Sequence, residues 1–446
     1  MGRDGGIGNH DIPDRASVSV RNYGEEMKIA IINKSDSTGG AAVVSFRLME
    51  ALRRAGVDAR MVVVEKLTDS PYVVRAASDF KMKLPFISER LKIYVANGFN
   101  RSTLFKIDTA SDGLDLLKNP VVKEADVIML NWVNQGMLSL QGIERLSRAG
   151  KKIIWTMHDM WCFTGICHHS GECQRYEHVC EQCPLLKGGL EKNLAKKIQG
   201  QKFRLYSRSK IVFVAVSNWL ADRGAKSSLF GGKRPTVIPN AFPFGKQIFI
   251  PRKRDAETQE NREFRILFGA ARLDDTVKGL PILIEATKIL NDHYPEDAKN
   301  MRLVTFGEAK DPGALDGIGI AHTHLGRVSG KRALHEVYEG ADAVVSTSLY
   351  ETLPGTLVEG QAYGCIPVAF SRGGQADIID HLSTGYLASW DDNLEQAARN
   401  IAEGLVWASK VSGSDAGIRK QMFDSAYARF NEEAVAARYL ELIESM

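Results

Sequence analysis

Glu351 and Glu359 stand eight positions apart in YETLPGTLVE, on either side of a Pro-Gly break. Pro354 suits the start of a helix and Gly355 lets backbone approach a ligand closely, so the amides of Thr356 and Leu357 are expected to point at whatever lies above that helix mouth. An anion fits there. Glu359, one turn into the helix, offers acceptor oxygens to a diol such as a ribose, and Glu351, before the turn, faces the opposite end of the same ligand. Acids around a helix start also favour its macrodipole without doing chemistry, so the pair alone supports both readings.

A second cluster comes earlier. Five of the six cysteines fall in WCFTGICHHSGECQRYEHVCEQCPLL: Cys162, Cys167, Cys173, Cys180 and Cys183, interleaved with His168, His169 and His178. Such crowding in a cytosolic chain favours metal or redox chemistry over structural disulfides. Only Cys180 and Cys183 have the short spacing of a metal knuckle. A tetrahedral structural zinc on the thiolates of Cys167, Cys173, Cys180 and Cys183 would pin a long loop, and disulfides or plain thiols fit the same residues.

These groups need elements to hold them. At 446 residues the chain exceeds what one core usually supports, and 44% apolar with 25% charged residues describes an ordinary soluble globular protein with little room for extensive disorder. MKIAIIN, then a Gly-containing loop, then apolar residues at helical spacing from Val43 to Leu52 and a second strand near Met61 to Val64, make a βαβ unit. The same grammar returns in ADVIMLNW, KKIIWTMH and KIVFVAVS. After a charged, aperiodic connection it opens again with FRILFGAAR, MRLVTFGE, ADAVVSTS and CIPVAFS. The reading is α/β: two doubly wound, Rossmann-like domains facing across a cleft. The boundaries are a flexible extension over 1–26, an N-domain over 27–241, a linker over 242–262, a C-domain over 263–428, and a last helix over 429–446 returning to the N-domain. Open parallel sheets bind ligands at the carboxyl ends of their strands, so the loops there are the candidate site.

ETLPGTLVEGQAYGCIPVAFSRGGQADII resembles the signature of the retaining glycosyltransferases of family 4, which have the GT-B architecture: two Glu separated by seven residues, then a Pro-Val strand and a Gly-Gly turn. The resemblance runs from Met27 almost to the C-terminus. It implies that Glu359 binds the nucleotide ribose, that Glu351 touches donor-sugar hydroxyls, and that the amides around Gly355, Thr356 and Leu357 contact sugar and phosphate. GAARLDDTVKGL resembles the family's strand-end Arg and Lys-Gly, making Arg272 and Lys278 the expected cations on the donor diphosphate, where charge grows as the glycosidic bond breaks. Arg327 and Val328 in HLGRV become the base-pocket residues, Gly39 and Gly40 the glycine loop beside phosphates and acceptor, and His158 the histidine near the reaction centre. Ser217 and Asn240 mark later strand ends. HDMWCFTGIC with the four following cysteines is similar to a colanic-acid and exopolysaccharide subgroup. The architecture, as the resemblance implies, needs no divalent ion for transfer.

The expected partners are therefore a UDP- or GDP-sugar and an oligosaccharide or lipid-linked glycan acceptor. A net charge of +4 is too modest for a dedicated nucleic-acid binder. FKMKLPFISERLKIYVANGFNRSTLFK, over 80–106, mixes Lys and Arg with large apolar residues and has Glu89 as its only acid; residues 191–210 share the bias. Basic amphipathic segments bind anionic lipid, which adds a peripheral membrane contact to the expectations. No run approaches the roughly 20 apolar residues of a bilayer span, so the expected location is the cytoplasm, at the cytosolic face of the inner membrane. A nucleotide-sugar epimerase of the same architecture and a noncatalytic sugar-nucleotide-binding scaffold are the rival readings.

Overall fold

The computed structural model describes residues 27–186, 193–245, 249, 262–414 and 416–446. The extension over 1–26 and most of the 242–262 linker lie outside the described residues.

The first half runs β1 (Lys28–Ser35), α1 (Gly40–Arg54), β2 (Asp58–Glu65), β3 (Val73–Arg75), α2 (Asp79–Ala96), α3 (Pro120–Glu124), β4 (Val127–Leu130), α4 (Leu140–Arg148), β5 (Lys152–Met157), α5 (Leu194–Arg208), β6 (Ile211–Ala215), α6 (Asn218–Lys226) and β7 (Thr236–Val237). The second runs β8 (Phe264–Arg272), α7 (Leu280–His293), α8 (Pro295–Ala298), β9 (Met301–Glu308), β10 (Ala321–His324), α9 (Lys331–Glu339), β11 (Ala343–Ser346), α10 (Gly355–Ala362), β12 (Ile366–Phe370), β13 (Tyr386–Ala388), α11 (Leu394–Ser414), α12 (Ala416–Phe430) and α13 (Glu432–Glu444).

Each half makes one parallel sheet, ordered β3-β2-β1-β4-β5-β6-β7 and β10-β9-β8-β11-β12-β13. The central strands are buried on both faces, as the unbroken apolar runs in β1, β4 and β12 require. Helix α1 turns Leu48, Met49, Ala51 and Leu52 onto the first sheet and stops where Gly56 enters the left-handed region at φ 89°. In both sheets the strand order reverses beside the first strand, between β1 and β4 and between β8 and β11. Crossovers on the two sides of that point run to opposite faces, so the loops after these four strands diverge and leave a crevice.

The chain closes on itself at its end. The amide of Phe242 donates to the carbonyl of Phe430 at 2.8 Å, and Asn431 caps α13 by accepting from the amide of Ala434 at 2.9 Å. Helix α13 then buries Val435, Ala436, Tyr439, Leu440 and Ile443 in the core of the first sheet, with Val435, Leu440 and Ile443 each contributing about 1.5–3 kcal/mol. The Tyr439 hydroxyl meets Thr156 Oγ1 at 2.9 Å.

Candidate active site

A cleft of about 870 Å³ lies where the two reversal points face each other. From the first sheet it is lined by Gly39 and Gly40 after β1, Trp132 and Gln135 after β4, and His158, Asp159 and His169 after β5. From the second come Lys278 after β8, and Glu351, Gly355, Thr356 and Glu359 after β11. Asn240 also lines it, whereas Ser217 caps α6 by accepting from the amide of Leu220 at 3.2 Å.

The C-domain loops are held by close backbone contacts that only glycine permits. Gly279 sits at φ 67°, where an added Cβ would stand 2.0 Å from the carbonyl oxygen of Thr347. Lys278 is thereby pressed against the end of β11, and Thr347 Oγ1 donates to the Lys278 carbonyl at 3.0 Å. Gly373, at φ 66°, does the same for Glu351: its Cβ would lie 2.6 Å from the Glu351 carbonyl, and the next amide, of Gly374, donates to that carbonyl at 2.8 Å. The Gly-Gly turn of the sequence motif is a clamp on the first glutamate.

Lys278 Nζ reaches Glu351 Oε1 at 2.5 Å, and Ser348 Oγ donates to the same oxygen at 3.1 Å. Glu359, on α10, is held from two sides. Arg47 of α1 crosses the cleft to Oε1 at 2.9 Å, and the Tyr338 hydroxyl donates to Oε2 at 3.0 Å. A carboxylate has about four acceptor positions, so two remain for a diol. The two halves also meet where Thr352 Oγ1 donates to the His158 carbonyl at 3.1 Å.

His158 Nε2 lies 2.9 Å from Asn131 Oδ1. Burial pushes the ring down to about 4, against the pull of Asp159, so it is a neutral imidazole near pH 7. Behind it runs a buried chain of charges. Asp159 Oδ2 accepts from Trp132 Nε1 at 3.0 Å and pairs with His168 Nδ1 at 2.7 Å, while His168 Nε2 meets Asp108 Oδ2 at 2.8 Å. Asp108 in turn pairs with Arg90 of α2, next to Glu89. Burial disfavours charge on His168, yet the carboxylates of Asp159 and Asp108 push it up to about 10. Asp159 goes down to about 2, burial notwithstanding, under His168. The imidazolium is a fixed cation between two anions.

Not every expected residue joins the cleft. Arg272 is exposed at the end of β8, its Nε on Asp274 Oδ1 at 3.1 Å. Arg327 is exposed and meets Glu308 at 3.3 Å, and Val328 packs against the core; neither lines the cleft. Leu357 is wholly buried, and its amide turns back to the Pro354 carbonyl at 3.3 Å, so it does not present a free donor as the sequence suggested. Arg47, Trp132, Asp159, His168, His169 and Tyr338 were not anticipated as site residues. Asp159 follows His158 directly, and His168 was absorbed into the cysteine cluster by proximity in sequence alone.

Cys167, Cys173, Cys180 and Cys183 all line one small cavity of about 50 Å³. Among the described residues, however, no three His, Cys, Asp or Glu side chains are arranged to hold a metal ion, and the four cysteines are free of disulfides. Burial pushes the Cys167 thiol up to about 12 and the Cys180 thiol to about 11, which leaves them neutral. The loop is held from α5: the buried Lys202 amino group donates to the carbonyls of Trp161 at 2.5 Å and Thr164 at 3.1 Å, and Gln199 Oε1 accepts from the amide of Cys180 at 2.8 Å.

Comparison with known proteins agrees with this geometry. Residues 251–405 match the family described as glycosyl transferases group 1. The chain is 24% identical over 433 residues to the Escherichia coli protein WcaC, named as a colanic acid biosynthesis glycosyl transferase, covering 92% of this chain and 96% of that protein. Among solved structures, Anabaena HepE in complex with UDP superposes with a TM-score of 0.59 at 15% identity, covering 94% of this chain and all of that one. The lipopolysaccharide outer core galactosyltransferase WaaB gives 0.57 at 15% identity, with 94% and 100% covered.

Proposed function

The chain is a glycosyltransferase with a group 1 domain on a GT-B frame, and from that premise we propose that it moves a sugar from a nucleoside diphosphate, with retention of configuration, to a lipid-linked oligosaccharide in exopolysaccharide or cell-surface glycan synthesis. One observation carries the reading: Lys278, Glu351, the mouth of α10 and Glu359 line one wall of a cleft whose other wall is the Gly39-Gly40 loop and His158.

In this reading the diphosphate lies over Gly355 and Thr356, where helix amides and the Lys278 ammonium stabilise the charge that grows on the departing phosphate oxygen. Lys278 exchanges its contact with Glu351 for phosphate, and Arg272 joins it by leaving Asp274. Glu351, released, accepts hydrogen bonds from the donor sugar. Glu359 takes the ribose hydroxyls with its two remaining acceptor positions. Neutral His158 hydrogen-bonds a sugar hydroxyl without adding charge beside the developing cation at the anomeric carbon. Asp159 and Glu359 keep their cations and Glu351 is engaged by Ser348 and the sugar hydroxyls, which blunts all three as nucleophiles. The acceptor hydroxyl is therefore taken to attack on the face the diphosphate leaves, passing its proton to the phosphate oxygen. Transfer needs no bound metal in this scheme. Closure of the two domains keeps out water that would hydrolyse the donor.

HepE has been solved with UDP and with UDP-glucose, which supports a nucleotide-sugar donor here. A thermal-shift panel of nucleoside diphosphates and their sugars tests the donor site, because a ligand that binds only the folded chain raises its melting temperature. Proton NMR of the product then reads the anomer. The reading expects a shift with UDP or GDP and a product of unchanged anomeric configuration; no shift with any nucleotide, or an inverted product, overturns it.

A further inference from the structure

One histidine of the cleft has no task in the scheme above. His169 lines the cleft from the loop after β5 and is open to it, and among the described residues neither of its ring nitrogens has a hydrogen-bond partner. His158, by contrast, is already turned onto Asn131. The cysteine-bearing loop that carries His169 is firmly held at this point. His168, the residue before, is locked between Asp108 and Asp159 through its two ring nitrogens. Its carbonyl accepts from the amide of Met160 at 2.8 Å, and its own amide donates to the Lys106 carbonyl at 3.2 Å. Thr164 Oγ1 donates to the Cys167 carbonyl at 2.6 Å. With its neighbour fixed in both backbone and side chain, His169 is left little freedom beyond its own side-chain torsions. The buried chain of charges thereby delivers an imidazole to a set place in the cleft.

What it meets there is the opposite wall. The His169 ring lies 5.5 Å from that of Tyr350, tilted by 43°, an ordinary aromatic contact. Tyr350 immediately precedes Glu351. Three residues further along the loop, Glu172 pairs with Arg372 at 2.8 Å, and Arg372, which lies over the ring of Trp390 at 4.4 Å, immediately precedes Gly373, the residue that clamps Glu351. The loop thus touches the C-domain on both sides of Glu351. With Glu172 88% exposed its ion pair is worth little in stability, but together the two contacts set the gap between His169 and the Glu351 carboxylate. Two carboxylates, Asp159 and Glu351, and two cations, His168 and Lys278, act on the His169 ring. Desolvation outweighs them and lowers its pKa from the ordinary 6.5, so at neutral pH the ring is an uncharged imidazole with one donor and one acceptor nitrogen.

We propose that His169 is a donor-sugar contact that helps to set which sugar is accepted: the sugar lies between the imidazole of His169 and the carboxylate of Glu351, and one ring nitrogen hydrogen-bonds a hydroxyl that Glu351 does not reach. An uncharged sugar hydroxyl matches an uncharged imidazole. A site built to bond a hydroxyl rejects the sugar that lacks it, because the ring is then covered and left unpaired. The donor is the partner, and not the acceptor, because the C-domain groups that act on His169 are Tyr350, Glu351 and Lys278. The inference rests on the donor reading of Glu351 and Lys278 given above and adds to it the share of the N-domain in recognising the sugar. It also gives the cysteine-bearing loop a task, which is to carry this residue across the cleft.

The test compares the full wild-type chain with His169→Phe, which keeps a ring against Tyr350 but has no nitrogen to hydrogen-bond, and His169→Gln, which restores a donor and an acceptor. Thermal shifts are read with UDP and GDP alone and with UDP-glucose, UDP-galactose and GDP-mannose, and the donor KM is read from release of the nucleoside diphosphate without acceptor. In His169→Phe the shift with the diphosphate alone should match that of wild type, while the shift with the nucleotide sugar shrinks and the donor KM rises about tenfold, as for one lost hydrogen bond. His169→Gln should recover most of both. A structural role would lower the melting temperature and the diphosphate shift together, and an acceptor role would slow transfer while leaving donor hydrolysis untouched. Either result overturns the proposal, as does His169→Phe with the sugar shift and donor KM of wild type. If wild type itself answers to no nucleotide, the donor reading has failed and this inference falls with it; a normal wild-type shift beside indifferent variants sinks the inference alone.

Discussion

The two walls of the cleft are charged in different ways. On the N-domain side Asp159, His168, Asp108, Arg90 and Glu89 form a buried chain in which His168 faces a carboxylate through each ring nitrogen. On the C-domain side Lys278–Glu351 and Arg47–Glu359 are single pairs with side chains roughly a fifth to a third exposed. A buried pair that loses one member leaves an uncompensated charge in a poor solvent, whereas a partly exposed pair can trade its partner for water or a ligand. The first wall is built to stay put and the second to exchange partners, which suits the proposed donor diphosphate, charged on arrival and on leaving.

That contrast can be broken at several points. The largest effect should come from His168→Gln, which strands Asp108 and Asp159: a loss of about 3–5 kcal/mol in urea unfolding is expected, and a loss near zero would mean that the chain of charges is ornamental to the fold. Lys278→Ala should do the reverse, leaving the unfolding midpoint nearly unchanged while kcat for transfer falls about 100- to 1,000-fold, as when one donor to developing charge is removed. A large fall in stability with little change in rate would reassign Lys278 to the scaffold. Arg47→Ala removes an interdomain cation from Glu359; about 1 kcal/mol, read as a several-fold rise in the donor KM with kcat kept, is the expected cost for a pair this exposed.

The last effect concerns pH. Burial lowers the folded pKa of His158 to about 4 from an ordinary 6.5, so the unfolded chain binds a proton that the folded ring refuses between those values. Its contribution to stability is intact above about 6.5 and is lost as pH falls toward 4. His158→Gln lacks that titration, so its melting temperature should fall less steeply than the wild type's over this window. Parallel curves would show that the imidazole is not desolvated as described.

Much of the C-domain wall was legible because local sequence builds it. Glu351, Pro354, Gly355 and Glu359 lie within one loop and one helix start, and Lys278-Gly279 within one turn, so spacing nearly fixes their geometry. Arg272 was legible as a strand-end cation but not in its direction, since Asp274 two residues on captures it. The N-domain wall was hidden for the opposite reason. Arg90 and Asp108 are 18 residues apart, Asp108 and His168 are 60 apart, and Arg47 and Glu359 are 312 apart. Nothing in the neighbours of Arg47, Arg90 or Asp108 distinguishes them from solvated charges.

Two parallel sheets followed from the alternation of β-branched runs with helical periodicity, because that pattern has few ways to bury itself. The glycines at 279 and 373 were set by the chain as well, since no other residue tolerates both the left-handed backbone and a carbonyl at 2.0–2.6 Å from its Cβ. Tertiary structure alone decided the rotation of α2. Its sequence offers an apolar stripe and a charged face, and which one turns inward depends on whether Asp108 is there to receive Arg90, and Thr109 and the amide of Gly136 to receive Glu89. A buried ion is tolerable only where its partners already stand, and partners are supplied by the fold.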